Sequence, residues 1–556
     1  MFKGPVGIQS LLKDGTQSYA GVDEALLKNM EASKYVSEIT RTSLGPCGTN
    51  KLIVNHINKH FVTSDTATML KELDIYHPAA KLVVMAVQAQ EQECGDATNL
   101  VSILIGELLE NAEQLLKQGI HASDIIRGYE MAGDRVVKYL NDNDDLVAYT
   151  LGDVRSVDQI STAIKSVLGA KQYGLEDTLT RLVASACCSV MPEDPKKFDI
   201  DNIRVAKLPG CGNIHNSYVV DGMVTTRDTM GIEKHKKNCK VAVYGCGLEM
   251  TGTETQGTVL LESGKQLMDF AKGEEKKMEE FVLSLVDAGV EAVIVGGSIQ
   301  DIALHFLNKH HILAIKCTSK FEMRRLCRTL GATGIVRLGA PLPDELGYAE
   351  SIDVEEISSA KVTVVRAADS KVSTIVLRGA TGNFLDEVER AIDDAVNVVR
   401  CCAVKGQREF VVGGGGCEIS LSLDVAEFGQ ECSGLEQYAV LKFAESFEVV
   451  ANIIAENAGL NAMDAVTKLK AAHASGKNRM CVDVDAPNRR ASPICDAVSK
   501  SILDNRGIKS WAIRLAIDAV LTILRIQHII VAKQAGGPQT KVIPLSRKRL
   551  HALFDV

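Results

Sequence analysis

The sequence predicts an α+β protein of several domains, and three observations carry that expectation. The chain has 556 residues, more than one hydrophobic core serves, so about three domains are expected. Residues 20 to 150 and those from about 380 onward read mainly as long helices, whereas residues 290 to 340 alternate short apolar strands with helices. Two helical ends around an α/β middle suggest a nested chain, in which the first and last segments together build one domain.

Composition narrows the class. With 46% hydrophobic and 24% charged residues the chain reads as a soluble globular protein. A formal charge of -9 offers no broad cationic field, which argues against a general nucleic-acid binder. The fifteen cysteines are odd in number, contain no CxxC, and include the adjacent pairs Cys187-Cys188 and Cys401-Cys402, which lack zinc-ligand spacing. Scattered buried thiols in a reducing compartment are expected instead, and hence a cytoplasmic protein. MFKGPVGIQSLLKDG lacks the apolar core of a signal peptide, so no address label is expected.

Taken in order, the first punctuation is Leu44-Gly45-Pro46-Cys47-Gly48, a tight turn after a helix ending near Ser43. In HFVTSDTATMLKEL an extended piece ends and Asp65 precedes Thr66, Ala67, Thr68 and a new helix. HPAAKLVVMAVQAQE reads as another helix. After ECGDATN, Val101, Leu104, Ile105, Leu108, Ala112 and Leu115 recur at helical spacing until Lys117-Gln118-Gly119 supplies a stop. Asp96 therefore sits at a helix start. An aspartate there ordinarily caps orphan N–H groups, worth ~1 kcal/mol. The same positive helix end could instead bind a phosphate, with Asp96 holding the accompanying Mg²⁺.

Further along, Lys234-His235-Lys236-Lys237 reads as a solvated loop. Val290 to Val295, Asp301 to Lys309, Ile312 to Cys317 and Lys320 to Leu330 form a strand, helix, strand, helix series, the sign of a parallel sheet. In ERAIDDAVNVVR the stripe Val388, Ile392, Ala395, Val399 leaves Asp393 and Asp394 outside it, as two solvated helix acids. The run Gly413 to Gly416 is costly to order, so either a ligand passes close to that backbone or the run is a hinge. WAIRLAIDAVLTILRIQHIIVA, residues 511 to 532, reads as one amphipathic core helix, because Arg514, Asp518, Arg525 and His528 keep to one side of it. Nothing matches the P-loop or dinucleotide fingerprints.

Longer stretches carry a resemblance. VTSDTATMLKELDIYHPAAKLVVMA, SVLGAKQYG, IDNIRVAKLPGCG, VSTIVLRG, GLEQYAVLKFAESFE and SWAIRLAIDAVLTILRIQHIIVAKQAGGP resemble the group II chaperonin subunits over roughly residues 9 to 540, and among them those of the eukaryotic cytosolic chaperonin. The resemblance implies a chaperonin fold: a mostly helical equatorial domain (1–148 and 408–556), a small α/β intermediate domain (149–216 and 374–407), and an α/β apical domain (217–373) with a helical, lid-forming protrusion at about 248–277. It implies an ATP-dependent chaperone subunit with ATP/ADP and Mg²⁺ as cofactors. Asp96 matches the metal carboxylate, with Ala97, Thr98 and Asn99 beside the phosphates. Leu44, Gly45 and Pro46 match the turn against nucleotide, and Thr66, Ala67 and Thr68 the second phosphate-side helix start. Lys171 matches a lysine that reaches the nucleotide on closure, Gly414 and Gly415 a sugar-side contact, and Asp504 an acid near the ribose. Asp394 matches the residue that orients or deprotonates the attacking water, assisted by Asp65.

Four positions depart from the family pattern: Ala97 and Thr66 where glycine is common, Cys47 for lysine, and Val412 for proline. If Ala97 needs a positive φ, its methyl costs ~1 kcal/mol or more. By the same resemblance Phe321, Arg324 and Arg328 lie where client polypeptide docks; the competing reading of that helix is core residues with solvated arginines. The implied partners are paralogous subunits in a two-ring hetero-oligomer and non-native proteins, such as actin and tubulin, with neither nucleic acid nor membrane. A nucleotide-binding scaffold subunit with little hydrolysis is the alternative. A small-molecule ATP-dependent enzyme is a third, for which no separate acceptor site is evident.

Overall fold

The helix Thr98–Lys117 shows why the two ends of the chain share one core. Leu100, Val101, Ile103, Leu104, Ile105, Leu108, Leu109, Ala112 and Leu115 are all buried, covering more of its circumference than one neighbour could. In the computed structural model, which describes residues 17–20, 22–249, 263–357, 360–368, 370–485, 492–526 and 528–531, that surface is covered from both sides. Val22–Arg41, Pro78–Glu93 and Ala122–Asp142 come from the first part of the chain. Glu436–Ser446, Glu448–Asn457 and Arg506–Leu524 come from the last, backed by Gly416–Glu431 and Ala462–Ala474 in the same core. Tyr129 locks the seam: its hydroxyl donates to the Leu108 carbonyl at 2.9 Å, and its ring meets Phe443 edge-on at 5.3 Å.

The chain ends are joined a second time. His528–Val531 is a strand, paired antiparallel with Gln17–Ala20. This corrects the continuous helix expected over 511 to 532, which stops at Leu524. His-Ile-Ile-Val is a strand-forming run, and its partner lies at the opposite end of the sequence, beyond the reach of local periodicity.

A second core lies beside the first. The helices Val157–Lys171, Glu176–Val190 and Gly382–Val404 bury Ile164, Leu168, Val183, Cys187, Ile392 and Val399 together. Two strands beneath them, Ile203–Pro209 and Ser373–Gly379, pair in parallel at one edge of an eight-stranded sheet. From that edge the order is Ile203–Pro209, Ser373–Gly379, Tyr218–Thr225, Ala360–Arg366, Gly347–Ile357, His235–Tyr244, Val290–Val295, Leu313–Lys316. The last three are parallel, and Asp301–Lys309 and Lys320–Leu330 complete the expected strand and helix alternation. His235, Lys236 and Lys237 open a strand rather than a solvated loop, opposite Asp353, Ile352 and Ser351. Their polar side chains masked the strand; Glu291 pairs with Lys236 at 3.7 Å, and Asp353 Oδ1 lies 3.4 Å from His235 Nδ1.

Residues 250–262 of the protrusion expected at about 248–277 lie outside the described residues; its later part belongs to the helix Gly264–Asp287. All fifteen cysteines are free thiols. Among the described residues no helix is long and apolar enough to cross a membrane.

Candidate functional site

Three glycine-bearing loops and a helix start meet around a cleft of about 300 Å³, lined among others by Leu44, Gly45, Pro46, Asp96, Ala97, Thr98, Asn99, Lys171, Gly414, Gly415 and Asp504. That is the size class of small-molecule sites, roughly 300–1,000 Å³. The first loop follows the helix ending at Arg41: Gly45 takes φ +84, which only glycine adopts cheaply, and Asn457 Nδ2 donates to the Leu44 carbonyl at 2.9 Å. Asn99 knots the walls together. Its amide nitrogen donates to the carbonyls of Ser43 (3.2 Å) and Ser64 (3.3 Å), and its oxygen accepts from the Thr66 N–H (3.1 Å) and hydroxyl (2.6 Å). Its side chain is thus committed to the scaffold, leaving the backbone N–H groups of Thr98, Asn99 and Leu100, which precede the first intrahelical bond from Val101 to Ala97, as the phosphate-type donors of this helix start.

Asp96 does not cap that helix. The N-cap is Ala97, left-handed at φ 65, so the methyl sits where glycine is favoured. Asp96 Oδ1 accepts the Ala97 N–H at 2.7 Å, and its side chain lines the cleft. Burial pushes its carboxyl upward, opposed by Lys171 and by the Ala97 N–H.

Asp65 does cap. Its Oδ2 accepts the Thr68 N–H at 2.9 Å and hydroxyl at 2.8 Å, while Oδ1 accepts the Thr98 hydroxyl at 3.1 Å and lies 3.4 Å from Lys171 Nζ. Burial alone would raise its carboxyl, but Lys171 and the Thr68 donors outweigh that and hold it at about 2. Thr66 and Ala67 are buried, and neither they nor Thr68 line the cleft, contrary to the expectation that they would face the nucleotide.

Asp394 reaches the same place from the second core. Its helix, Gly382–Val404, docks on the strand His60–Thr63 and the residue after it: Glu387 accepts from the Ser64 N–H (3.0 Å) and hydroxyl (2.7 Å), and Arg390 donates to the Val62 carbonyl (3.2 Å). Asn397 closes over Gly95, where a Cβ would come within 2.2 Å of Asn397 Nδ2. Asp394 is thereby 4% exposed and ion-paired with Lys171, rather than solvated as its periodicity suggests, while Asp393 is exposed as expected. A helix side outside one apolar stripe is buried here against a second, polar surface. Burial pushes the Asp394 carboxyl well up; Lys171 opposes this, and Asp65 and Asp96 add to it. Lys171 keeps its proton, because the three acids outweigh its own burial.

Several charged residues in or beside the site escaped the sequence reading, among them Lys165, Glu176, Asp485 and Lys500 on the cleft wall. Glu91 has a buried, unpartnered Oε2, and burial together with Asp65 pushes its carboxyl up to about 7. Lys509 lies 2.8 Å from Glu418 and 2.7 Å from Asp504, and all three line the cleft. The signal was there: Glu91 follows Val87 by four on a buried stripe, and Lys509 precedes Ile513 by four on another.

Among the described residues no three His, Cys, Asp or Glu side chains converge as a ready-made metal cage. A lone carboxylate beside phosphate donors suits Mg²⁺, which keeps water and takes substrate phosphates as ligands. The helix Lys320–Leu330 is separate from the cleft. Phe321 is 72% exposed and Arg324 exposed, whereas Leu326, Thr329 and Leu330 are buried, and Arg328 donates to Asp199 (2.8 Å) and Asn202 (2.5 Å).

Residues 36–534 match the TCP-1/cpn60 chaperonin family. The chain is 44% identical over 538 residues to the T-complex protein 1 subunit theta of Arabidopsis thaliana, and 42% identical over 535 residues to that of Homo sapiens, covering 96% of each chain in both cases. The theta subunit of Dictyostelium discoideum is 41% identical over 536 residues, covering 96% of this chain and 98% of its own. A match of this length, over a fold whose two ends share one core, leaves one conclusion: the chain belongs to the TCP-1/cpn60 chaperonin family.

Proposed function

We propose that this chain is an ATP-hydrolysing subunit of a hetero-oligomeric, cytoplasmic chaperonin that encloses non-native proteins, and that hydrolysis is coupled to the meeting of its two cores. The observation that supports this reading is Lys171, which reaches Asp65 on one core and Asp394 on the other at the wall of the cleft that Asp96 lines.

The nucleotide triphosphate lies against Leu44 to Pro46 and the N–H groups that open the helix Thr98–Lys117, with Lys171 turning its charge onto the terminal phosphate. Bound through Asp96, Mg²⁺ supplies neutralisation of the phosphate oxygens. Relieved of its cation, Asp394 holds a water in line with the terminal phosphorus. The water oxygen bonds to phosphorus, the bond to the departing diphosphate oxygen breaks, and the water proton passes to Asp394. A carboxyl pushed up by burial is a better proton acceptor than a solvated one. Asp65, held ionised at about 2, fixes Lys171 and Thr98 from the equatorial side. Since Lys171 and Asp394 ride on helices of the second core, the constellation exists only when that core sits on the first. Phe321 and Arg324, exposed on the outer face of their helix, are the candidate contacts for client polypeptide.

Asp394→Ala in the assembled complex is expected to retain labelling of this subunit by ATP while its hydrolysis falls by at least about 100-fold, measured with the neighbouring sites inactivated. Undiminished turnover would overturn the assignment. The left-handed Ala97 favours a second reading, a subunit that binds nucleotide but turns it over weakly. In that case the wild type itself would show ATP labelling without phosphate release under the same conditions.

A further inference from the structure

We propose that Lys509 and Glu418 are positioning residues that turn Asp504 into a selector for the hydroxyl groups of a nucleotide sugar; this rests on the nucleotide reading above. Asp504 lies in the strand Leu503–Asn505, opposite Val411, so its carboxylate stands beside the glycine run that follows Val412. One oxygen, Oδ2, is 2.7 Å from Lys509 Nζ. The other, Oδ1, faces Gly413, where a Cβ would lie only 3.1 Å away, so the missing side chain leaves room beside it. The Lys509 contact thus orients the carboxylate before any ligand arrives, while the Asp504 side chain remains 39% exposed.

Behind Asp504 the cluster is dry. The side chains of Lys509 and Glu418 are only 4% and 2% exposed, with Nζ 2.8 Å from Glu418 Oε1. Burial alone would strip the proton from such a lysine, but Asp504 and Glu418 outweigh it and keep the ammonium charged. With one cation between two carboxylates, the group carries net negative charge, and its ammonium lies within ion-pair distance of both. It thus repels phosphate and attracts hydrogen-bond donors. Glu418 Oε2 is a buried acceptor with no partner, and its residue lines the cleft. The cleft is in this way polarised along its length: N–H donors and Lys171 at one end suit phosphates, and the partly exposed Asp504 carboxylate at the other suits a ribose diol. Removing Lys509 leaves two carboxylates facing each other, and Asp504 then swings away or takes up a proton. In either state it ceases to select.

The test uses the full-length chain in its assembled complex. This subunit is photolabelled with 8-azido-ATP, and the label is competed by ATP or by 2′,3′-dideoxy-ATP in the presence of Mg²⁺. In the wild type ATP is expected to compete about tenfold or more better than the dideoxy nucleotide, the worth of one charge-assisted hydrogen bond. In Lys509→Met the ratio is expected to fall close to one while Mg²⁺-dependent labelling persists, and Lys509→Arg is expected to restore most of it. Should Lys509→Met fail to assemble, Glu418→Gln is expected to lower the ratio severalfold. A ratio unchanged in whichever of Lys509→Met and Glu418→Gln assembles, even with weaker labelling overall, would overturn the inference. So would a wild type that binds both nucleotides equally well. A wild type whose label ATP does not displace would instead sink the nucleotide reading itself.

Discussion

Two lysines guard the two ends of the cleft, and they differ in where their partners come from. Lys509 is held by Asp504 and Glu418, on elements that all belong to the chain's last segment and need no rearrangement to meet. Lys171 is held by Asp65 and Asp394, which lie on two bodies of packing, and it comes from the helix Val157–Lys171 of the second. The same chemistry, an ammonium between two carboxylates, is permanent at one end and assembled at the other. On the proposed function, binding can then be selective in any conformation, whereas hydrolysis waits for the two bodies to come together.

The largest expected effect tests that contrast. Lys171→Met should lower kcat by about 100- to 1,000-fold, the usual cost of losing a charge aimed at the reacting group, with little change in KM. Lys509→Met should act chiefly on KM and on sugar preference. Steady-state kinetics of both variants in the assembled complex decide it, and an equal fall of kcat in the two would break the comparison.

The next effect concerns Glu91, the uncompensated acid of the assembled end. Its folded value of about 7 lies above its ordinary 4.5, so the native state keeps a proton that the unfolded chain releases. Stability is therefore lost progressively as pH rises from 4.5 to 7, and the loss is complete above that. Glu91→Gln should stabilise the nucleotide-free protein by on the order of 3 kcal/mol at pH 8, from about 2.5 units at 1.36 kcal/mol each, and hardly at pH 4.5. Thermal or urea unfolding at the two pH values measures it; a gain independent of pH would place Glu91 outside the cluster.

The smallest effect sharpens the picture at the phosphate end. Ala97→Gly should relieve the left-handed strain at φ 65 and raise stability by about 1 kcal/mol. If the methyl also crowds the phosphates, ATP labelling of this subunit should tighten in the same variant. A destabilised Ala97→Gly would show the strain to be absent.

Much of this architecture was legible in the residues. The helix starts at Thr66 and Thr98, the glycine turns at Gly45 and Gly413 to Gly416, and the parallel series from Val290 to Leu330 each rest on local spacing, and the structure has them close to where that spacing puts them. Asp65 and Asp96 looked alike in sequence, yet one caps its helix and the other does not, because φ at Ala97 shifts the cap by one residue. Asp394 was illegible from periodicity. Its burial depends on a surface that arrives from more than three hundred residues away, through Ser64 and Glu387. The strand His528–Val531 was hidden for a similar reason, its partner being at the other chain end. Lys509 and Glu91 were visible as charges on apolar stripes, and a stricter accounting of such violations would have singled them out.

The helix Gly382–Val404 has a mechanical consequence. Near its start Asp386 and Glu389 grip Lys207 on the edge strand of the eight-stranded sheet, and at its end Lys405 grips Glu93, 3.1 Å away, just before the turn that carries Asp96. A rod of 23 residues is about 34 Å long, so a tilt of roughly 10° at one end sweeps the other through about 6 Å. On the proposed function it is a lever arm that carries a small displacement beside the cleft into a larger one at the edge of the sheet.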